Sequence, residues 1–180
     1  VYLAPSNAEE YIAMLDWALD QDKHPVYIAI PSGPVVHAEG PVRTNFDALN
    51  TYEVTRKGSK VAVLALGDFY DLGEKTVEAL SSTLGIEATL VKPYFASGVD
   101  QNLLDNLVKD HDVIVTIEDG IIEGGWGQNI ASYLGTSSAR VLNYGVKKAF
   151  YDRVNIADLM RESHLDPELI AADVKQVLGL

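Results

Sequence analysis

Runs of β-branched and aliphatic residues alternate with stretches of helical period along most of this chain. The spacing predicts a short strand over residues 1–4 and a helix opened by Ser6, with Glu9 three positions on in capping-box spacing. Tyr11, Ile12, Leu15, Ala18 and Leu19 form one stripe of that helix and are expected to face the core. A second strand over 25–30 is closed by Pro31-Ser32-Gly33-Pro34. Residues 35–58 carry no period beyond a short edge strand near 52–54. A loop of that length is unusual inside one domain and marks a boundary.

A cleaner series follows. Strands are expected at 60–66, 86–91, 112–117 and 139–143, with helices at 71–84 (stopped by Gly85), 101–109 (capped by Asp100) and 127–134. Two short helices, 156–163 and 167–177, close the chain, the second with proline in its first turn, where it is tolerated. Strand and helix in alternation predict an α/β fold: three layers, a mostly parallel sheet with helices on both faces, preceded by the end of a second α/β domain.

Charge and composition narrow the function classes. The 180 residues carry a formal charge of −12, which disfavours nucleic acid and anionic membrane as partners. With no cysteine there is no disulfide, thiolate metal site or cysteine nucleophile. No apolar run reaches the length of a membrane span, so a cytoplasmic protein is expected. The chain opens on Val1 inside a strand, which reads as part of a longer polypeptide.

Candidate chemistry is sparse. Asp112–Ile117 runs into Glu118-Asp119, then Gly124-Gly125-Trp126-Gly127 and a helix. Amides at a helix N-terminus attract anions, but Ile130 stands where a dinucleotide fingerprint needs its third glycine, and three carboxylates precede the turn. Gly124, Gly125 and Gly127 therefore read as a structural turn that permits close backbone packing. Asp68 and Asp71 at the start of a helix suit its unpaired amides. His24 and His111 fall in surface-turn positions before strands, and no histidine pair has metal spacing. His37 lies past the carboxyl end of a strand, where ligand crevices form in open α/β sheets. Ser32 has no base or nucleophile elbow beside it. Tyr94 and Phe95 sit adjacent in an exposed loop and point to an interface.

The order of these features resembles the transketolase-type, thiamine-diphosphate-dependent enzymes, and most of all the 1-deoxy-D-xylulose-5-phosphate synthase family. The resemblance rests on Val61-Ala-Val-Leu-Ala-Leu-Gly67, Val91-Lys-Pro93, Val115-Thr-Ile-Glu118-Asp119, the Gly124–Gly127 turn, Val141-Leu-Asn-Tyr-Gly145 and the tail from His164 to Ile170. It implies that residues 1–40 end a pyrimidine-binding domain, 41–58 are a linker, and 59–180 form the C-terminal domain. The implied reaction joins pyruvate and D-glyceraldehyde 3-phosphate with loss of carbon dioxide, giving 1-deoxy-D-xylulose 5-phosphate for isoprenoid synthesis. Thiamine diphosphate and Mg2+ would serve the full-length enzyme, through a Gly-Asp-Gly…Asn motif and an activating glutamate that these residues lack. By resemblance this portion binds no cofactor, holds no catalytic residue, is inactive alone, and stabilises a homodimer beside the upstream domains of the same polypeptide. Ser32, Gly33 and His37 would lie near substrate. Many relatives read Arg-Tyr-Pro-Arg-Gly where Ala29-Ile30-Pro31-Ser32-Gly33 stands, so the arginine expected to hold the substrate phosphate is a serine here. The loop 94–99 is also longer. Two other readings remain open: a non-catalytic α/β interaction module, or a transketolase or 2-oxo-acid dehydrogenase β-subunit sibling with another acceptor.

Overall fold

The computed structural model describes residues 1–30 and 33–180. Its centre is a five-stranded sheet of β3 (Glu53–Arg56), β4 (Lys60–Ala65), β5 (Thr89–Lys92), β6 (His111–Ile121) and β7 (Arg140–Val146), in spatial order β3-β5-β4-β6-β7. The last four are mutually parallel, and β3 runs antiparallel at the β5 edge.

Alternation along β4 and β6 divides the core in two. Val61, Val63, Ala65, Val113, Val115 and Ile117 face α2 (Tyr70–Leu84) and α6 (Pro167–Leu178). Ala62, Leu64 and Ile114 face α3 (Gln101–Asp110) and α4 (Trp126–Tyr133). From Val61 to Ala65 every residue is buried, as a parallel strand covered on both faces requires. Gly85 ends α2 with φ 65°, Asp100 caps α3 by accepting the Leu103 amide, and Pro167 opens α6. A short helix α5 (Ile156–Glu162) buries no residue.

The first fifty residues form a smaller unit. Strands β1 (Tyr2–Leu3) and β2 (Tyr27–Ile28) pair in parallel around helix α1 (Ala8–Asp20). Leu3, Ala13, Met14, Trp17 and Phe46 share a third cluster with Tyr94 and Phe95 of the sheet domain. The backbone joins there too, with the Ala4 amide donating to Tyr94 O and the Ala96 amide to Tyr2 O, at 2.8 and 2.9 Å.

Several expectations change. Asn7, not Ser6, caps α1, accepting the Glu10 amide, while the Glu10 carboxylate reaches back to the Ser6 amide and hydroxyl. The buried face of α1 is Glu10, Ala13, Met14 and Trp17; of the expected stripe, Ala18 packs against the core, whereas Ile12, Leu15 and Leu19 turn outward, Ile12 57% and Leu19 75% exposed. The helix carries two apolar stripes, and Trp17 and Met14 on the other one fill the space above Phe46. Strand β5 begins at Thr89, three residues later than the pattern suggested, because Glu87 O is taken by the Ser59 amide. Strand β6 continues through its carboxylates to Ile121, where it meets Val146 after a register shift. His111 is buried in β6, its imidazole bonded to Leu107 O and to the Thr89 hydroxyl, each at 2.8 Å. Tyr94 and Phe95 are buried rather than exposed, and the interface they make is internal.

Candidate functional site

Strand β5 lies on one side of β4 and β6 on the other, so the carboxyl ends of β4 and β6 flank the topological switch point, where open α/β sheets bind ligands. Here protein groups occupy that crevice. Gly67, just past β4, adopts φ 61°, and a Cβ built on it would lie 3.2 Å from the Cβ of Ala4. The chain after β1 therefore covers the opening. On the other side Glu118 turns back to the start of α4. One carboxylate oxygen accepts the Trp126 amide at 2.9 Å and the other accepts the Gly127 amide at 2.8 Å. The anion that this helix terminus favours is thus the protein's own. Burial raises the Glu118 pKa, and the two amides oppose that rise.

The glycines make this contact possible. A side chain at Gly125 would meet Ile121 O at 2.5 Å and Glu118 at 2.7 Å, and one at Gly127 would meet the Thr116 hydroxyl at 2.3 Å. Gly124 has φ 83°. The Trp126 indole donates to the Tyr52 hydroxyl, which donates to Gly98 O, so the turn is tied to the start of β3. Nearby, burial and then the Asp119 charge raise the pKa of Asp68.

A second concavity, a cleft of about 1480 Å³, opens between the segment around 33–43 and the sheet domain. Gly33 and His37 line one wall, Asp68, Tyr70 and Asp71 the other, with Lys92 and Tyr94 between them. His37 is held by Glu9: its Nδ1 lies 2.8 Å from one carboxylate oxygen, and the Ala38 amide donates to the other at 2.8 Å. Those contacts, the Ala38 amide foremost, hold Glu9 down at about 2. The cations of the cleft are engaged. Lys92 reaches Glu10 at 2.7 Å and lies 4.0 Å above the Tyr70 ring. Arg43 donates to the carbonyls of Asn45, Ala48 and Thr51 and covers the Phe46 ring. Lys75 pairs with Asp71.

Of the candidates read from sequence, Gly33 and His37 come together in this cleft with Asp68 and Asp71, while Gly124, Gly125 and Gly127 stand at the crevice. Ser32 lies outside the described residues. Sequence reasoning missed the Glu118 cap, the Glu9–His37 pair and the buried Glu10–Lys92 pair. Only the Glu118 cap left a signal, since a carboxylate shortly before a glycine turn can fold back on it. Among the described residues no group of three His, Asp or Glu side chains is placed to hold a metal.

These features define a doubly wound α/β domain with a self-filled switch point, bearing a smaller α/β unit at its amino end. Residues 50–170 match the family model "Transketolase, C-terminal domain", and the chain belongs to that family. It is similar over nearly its whole length to 1-deoxy-D-xylulose-5-phosphate synthases. The enzyme of Pseudoalteromonas translucida is 33% identical over 99% of this chain and 28% of its own length. That of Clostridium tetani is 29% identical over 98% of this chain, again 28% of its own. The chain thus spans about 28% of the curated relatives it matches. Among solved structures, a split-gene transketolase described as an inactive β4 tetramer superposes with a TM-score of 0.76 at 23% identity, covering 99% of this chain and 57% of the other. A transketolase variant from Pichia stipitis gives 0.70 at 16%, covering 97% and 24%. At those identities the likeness establishes the fold. Among the described residues no helix is long and apolar enough to cross a membrane.

Proposed function

We propose that this chain is the C-terminal portion of a cytoplasmic, thiamine-diphosphate-dependent transferase of the 1-deoxy-D-xylulose-5-phosphate synthase type. The whole protein joins pyruvate to D-glyceraldehyde 3-phosphate with release of carbon dioxide. Residues 1–40 end its pyrimidine-binding domain, 41–58 connect, and 59–180 are the C-terminal domain, whose role is structural and dimer-stabilising. The observation that carries this reading is similarity across the whole chain to synthases more than three times its length.

The residues here do not fit thiamine diphosphate with Mg2+. Gly67-Asp68 is followed by Phe69, so the metal-binding Gly-Asp-Gly is absent there. The α4 terminus already holds the Glu118 carboxylate, and Asp68 and Asp119 would repel a diphosphate. No reaction step is assigned to this portion. Gly33 and His37 line the cleft and are placed near the acceptor substrate, with Ser32 between Pro31 and Gly33 in sequence. With Ser32 where relatives carry an arginine, either another group binds the acceptor's phosphate, with help from His37, or the acceptor is a different one.

Calorimetric titration of thiamine diphosphate and Mg2+ into the 180-residue chain tests the reading. No saturable heat is expected, and saturable binding would overturn the assignment of the cofactor to another part of the protein. In the full-length enzyme, Ser32→Trp is expected to raise the acceptor's KM, and an unchanged KM would remove Ser32 from the acceptor site. The replacement of the expected arginine by Ser32 favours one rival, a non-catalytic module of the same fold. Absence of synthase activity in a full-length protein that binds the cofactor would favour it.

A further inference from the structure

Glu9 stands in the first turn of α1, a helix anchored by the buried Met14 and Trp17. Its carboxylate takes two groups from the segment opposite. One oxygen lies 2.8 Å from His37 Nδ1, and the other accepts the Ala38 amide at 2.8 Å. The Ala8 amide donates to Val36 O at 2.9 Å, so residues 36–38 are fastened to the start of the helix. The side chains of His37 and Glu9 remain 71 and 42% exposed, and an ion pair in that setting adds little to stability. What the contact does fix is the imidazole ring.

A carboxylate accepts hydrogen bonds and donates none. Glu9, held at about 2, is ionised at physiological pH, so the proton of the 2.8 Å contact sits on Nδ1. In the neutral ring Nε2 is then a bare acceptor. Among the described residues no group bonds that nitrogen, and His37 lines the cleft. An acceptor in that place matches a hydroxyl donor better than a phosphate oxygen. The rest of the lining agrees. Lys92 and Lys75 are engaged by Glu10 and Asp71, whereas Glu39, Asp68 and Glu74 make no ion pair among the described residues. Such carboxylates accept from hydroxyls and repel anions.

We propose that His37 is a specificity-determining residue, accepting through Nε2 a hydrogen bond from a hydroxyl of the acceptor aldehyde, and that Glu9 is its positioning residue. The substrate class this selects is a hydroxyl-bearing aldehyde, whose phosphate, where it has one, is bound elsewhere than at His37. The inference rests on the proposed function for the reaction, and on the Glu9–His37 geometry for the role.

Nitrogen NMR of the 180-residue chain with isotopically labelled histidine reads the ring directly at about pH 8, where histidine is ordinarily neutral. His37→Asn identifies its signals among the four histidines. Nδ1 is expected to carry the proton and Nε2 to be bare. Glu9→Leu should abolish that preference, and Glu9→Gln, whose carbonyl can still accept, should keep it. A ring protonated on Nε2 in the wild type overturns the proposal. In the full-length enzyme, D-glyceraldehyde 3-phosphate is then compared with 3-phosphooxypropanal, which lacks the 2-hydroxyl. The preference in kcat/KM for the hydroxylated aldehyde should fall up to about tenfold in His37→Ala and in Glu9→Leu, mainly through KM, and return in Glu9→Gln. An unchanged preference in His37→Ala overturns the proposal and leaves the synthase reading standing. If neither aldehyde turns over, the synthase reading falls and the ring decides. D-glyceraldehyde added to the full-length protein should then move the His37 Nε2 signal and propanal should not; the same response to both overturns the proposal.

Discussion

The two units of this chain bury apolar surface to different degrees of completion. The five-stranded domain is closed on both faces: Val61 to Ala65 are fully buried, α2 and α6 cover one side, and α3 and α4 cover the other. The amino-terminal unit borrows Tyr94 and Phe95 for its core and leaves a second stripe of α1 and one edge of β2 in solvent. The difference teaches that a self-sufficient core and a shared one are distinguished by what lies on the far side of each element, not by how regular the element is. It also separates the two possible sites. The crevice of the complete domain is filled from within by Ala4 and Glu118, whereas the cleft between the units remains open.

The contrast can be broken where the units meet. Lys92 is 14% exposed at its side chain and Glu10 is 2% exposed, 82 positions apart in the chain. Removing one partner of a buried pair leaves a buried charge, so Lys92→Met should cost about 4 kcal/mol by urea unfolding, and Glu10→Gln combined with it should recover part of that loss. A Lys92→Met chain as stable as wild type would show that the units are not locked by this pair. Within the complete domain, Gly127→Val forces a side chain against Thr116 and Glu118 and should cost about 3 kcal/mol. A melting temperature within error of wild type would mean the turn does not need close approach.

The two faces of α1 sharpen the comparison. Met14→Ala empties a fully buried position and should cost about 3 kcal/mol. Leu19→Lys, on the outward stripe, should stay within about 0.5 kcal/mol in the 180-residue chain. Equal losses at the two positions would place both faces in the interior. The smallest effect is local and pH-dependent. The folded pKa of Glu9, about 2, lies below its ordinary value of 4.5. Its hold on Ala38 and His37 is therefore complete above 4.5 and is lost as pH falls from there through about 2. The Ala38 amide proton should shift over that interval by NMR, and the shift should vanish in Glu9→Gln; a flat titration would remove the contact.

Much of the complete domain was legible because its signals are local. The Val61–Leu66 run, Gly85 after α2, Asp100 before α3 and Pro167 in α6 each act within a few residues of where they stand. What was not legible depends on distant partners. The inward face of α1 is decided by Phe46 and Phe95, and the burial of His111 by Thr89, 22 positions away. The tail of β6 is hidden in sequence because Glu118 and Asp119 look like the end of a strand, yet Glu118 is buried by the helix it caps. Gly33 and His37 line the cleft, and sequence gave no sign that Glu9 holds the imidazole or that Lys92 is already paired.

Hydrogen exchange resolved along the 180-residue chain tests the contrast most directly. Amides of β4, β6 and α2 should exchange only through global unfolding, while those of α1 and β2 should open at a clearly lower free energy. Protection of α1 and β2 equal to that of β4 would contradict the account, because the amino-terminal unit would then be complete as it stands.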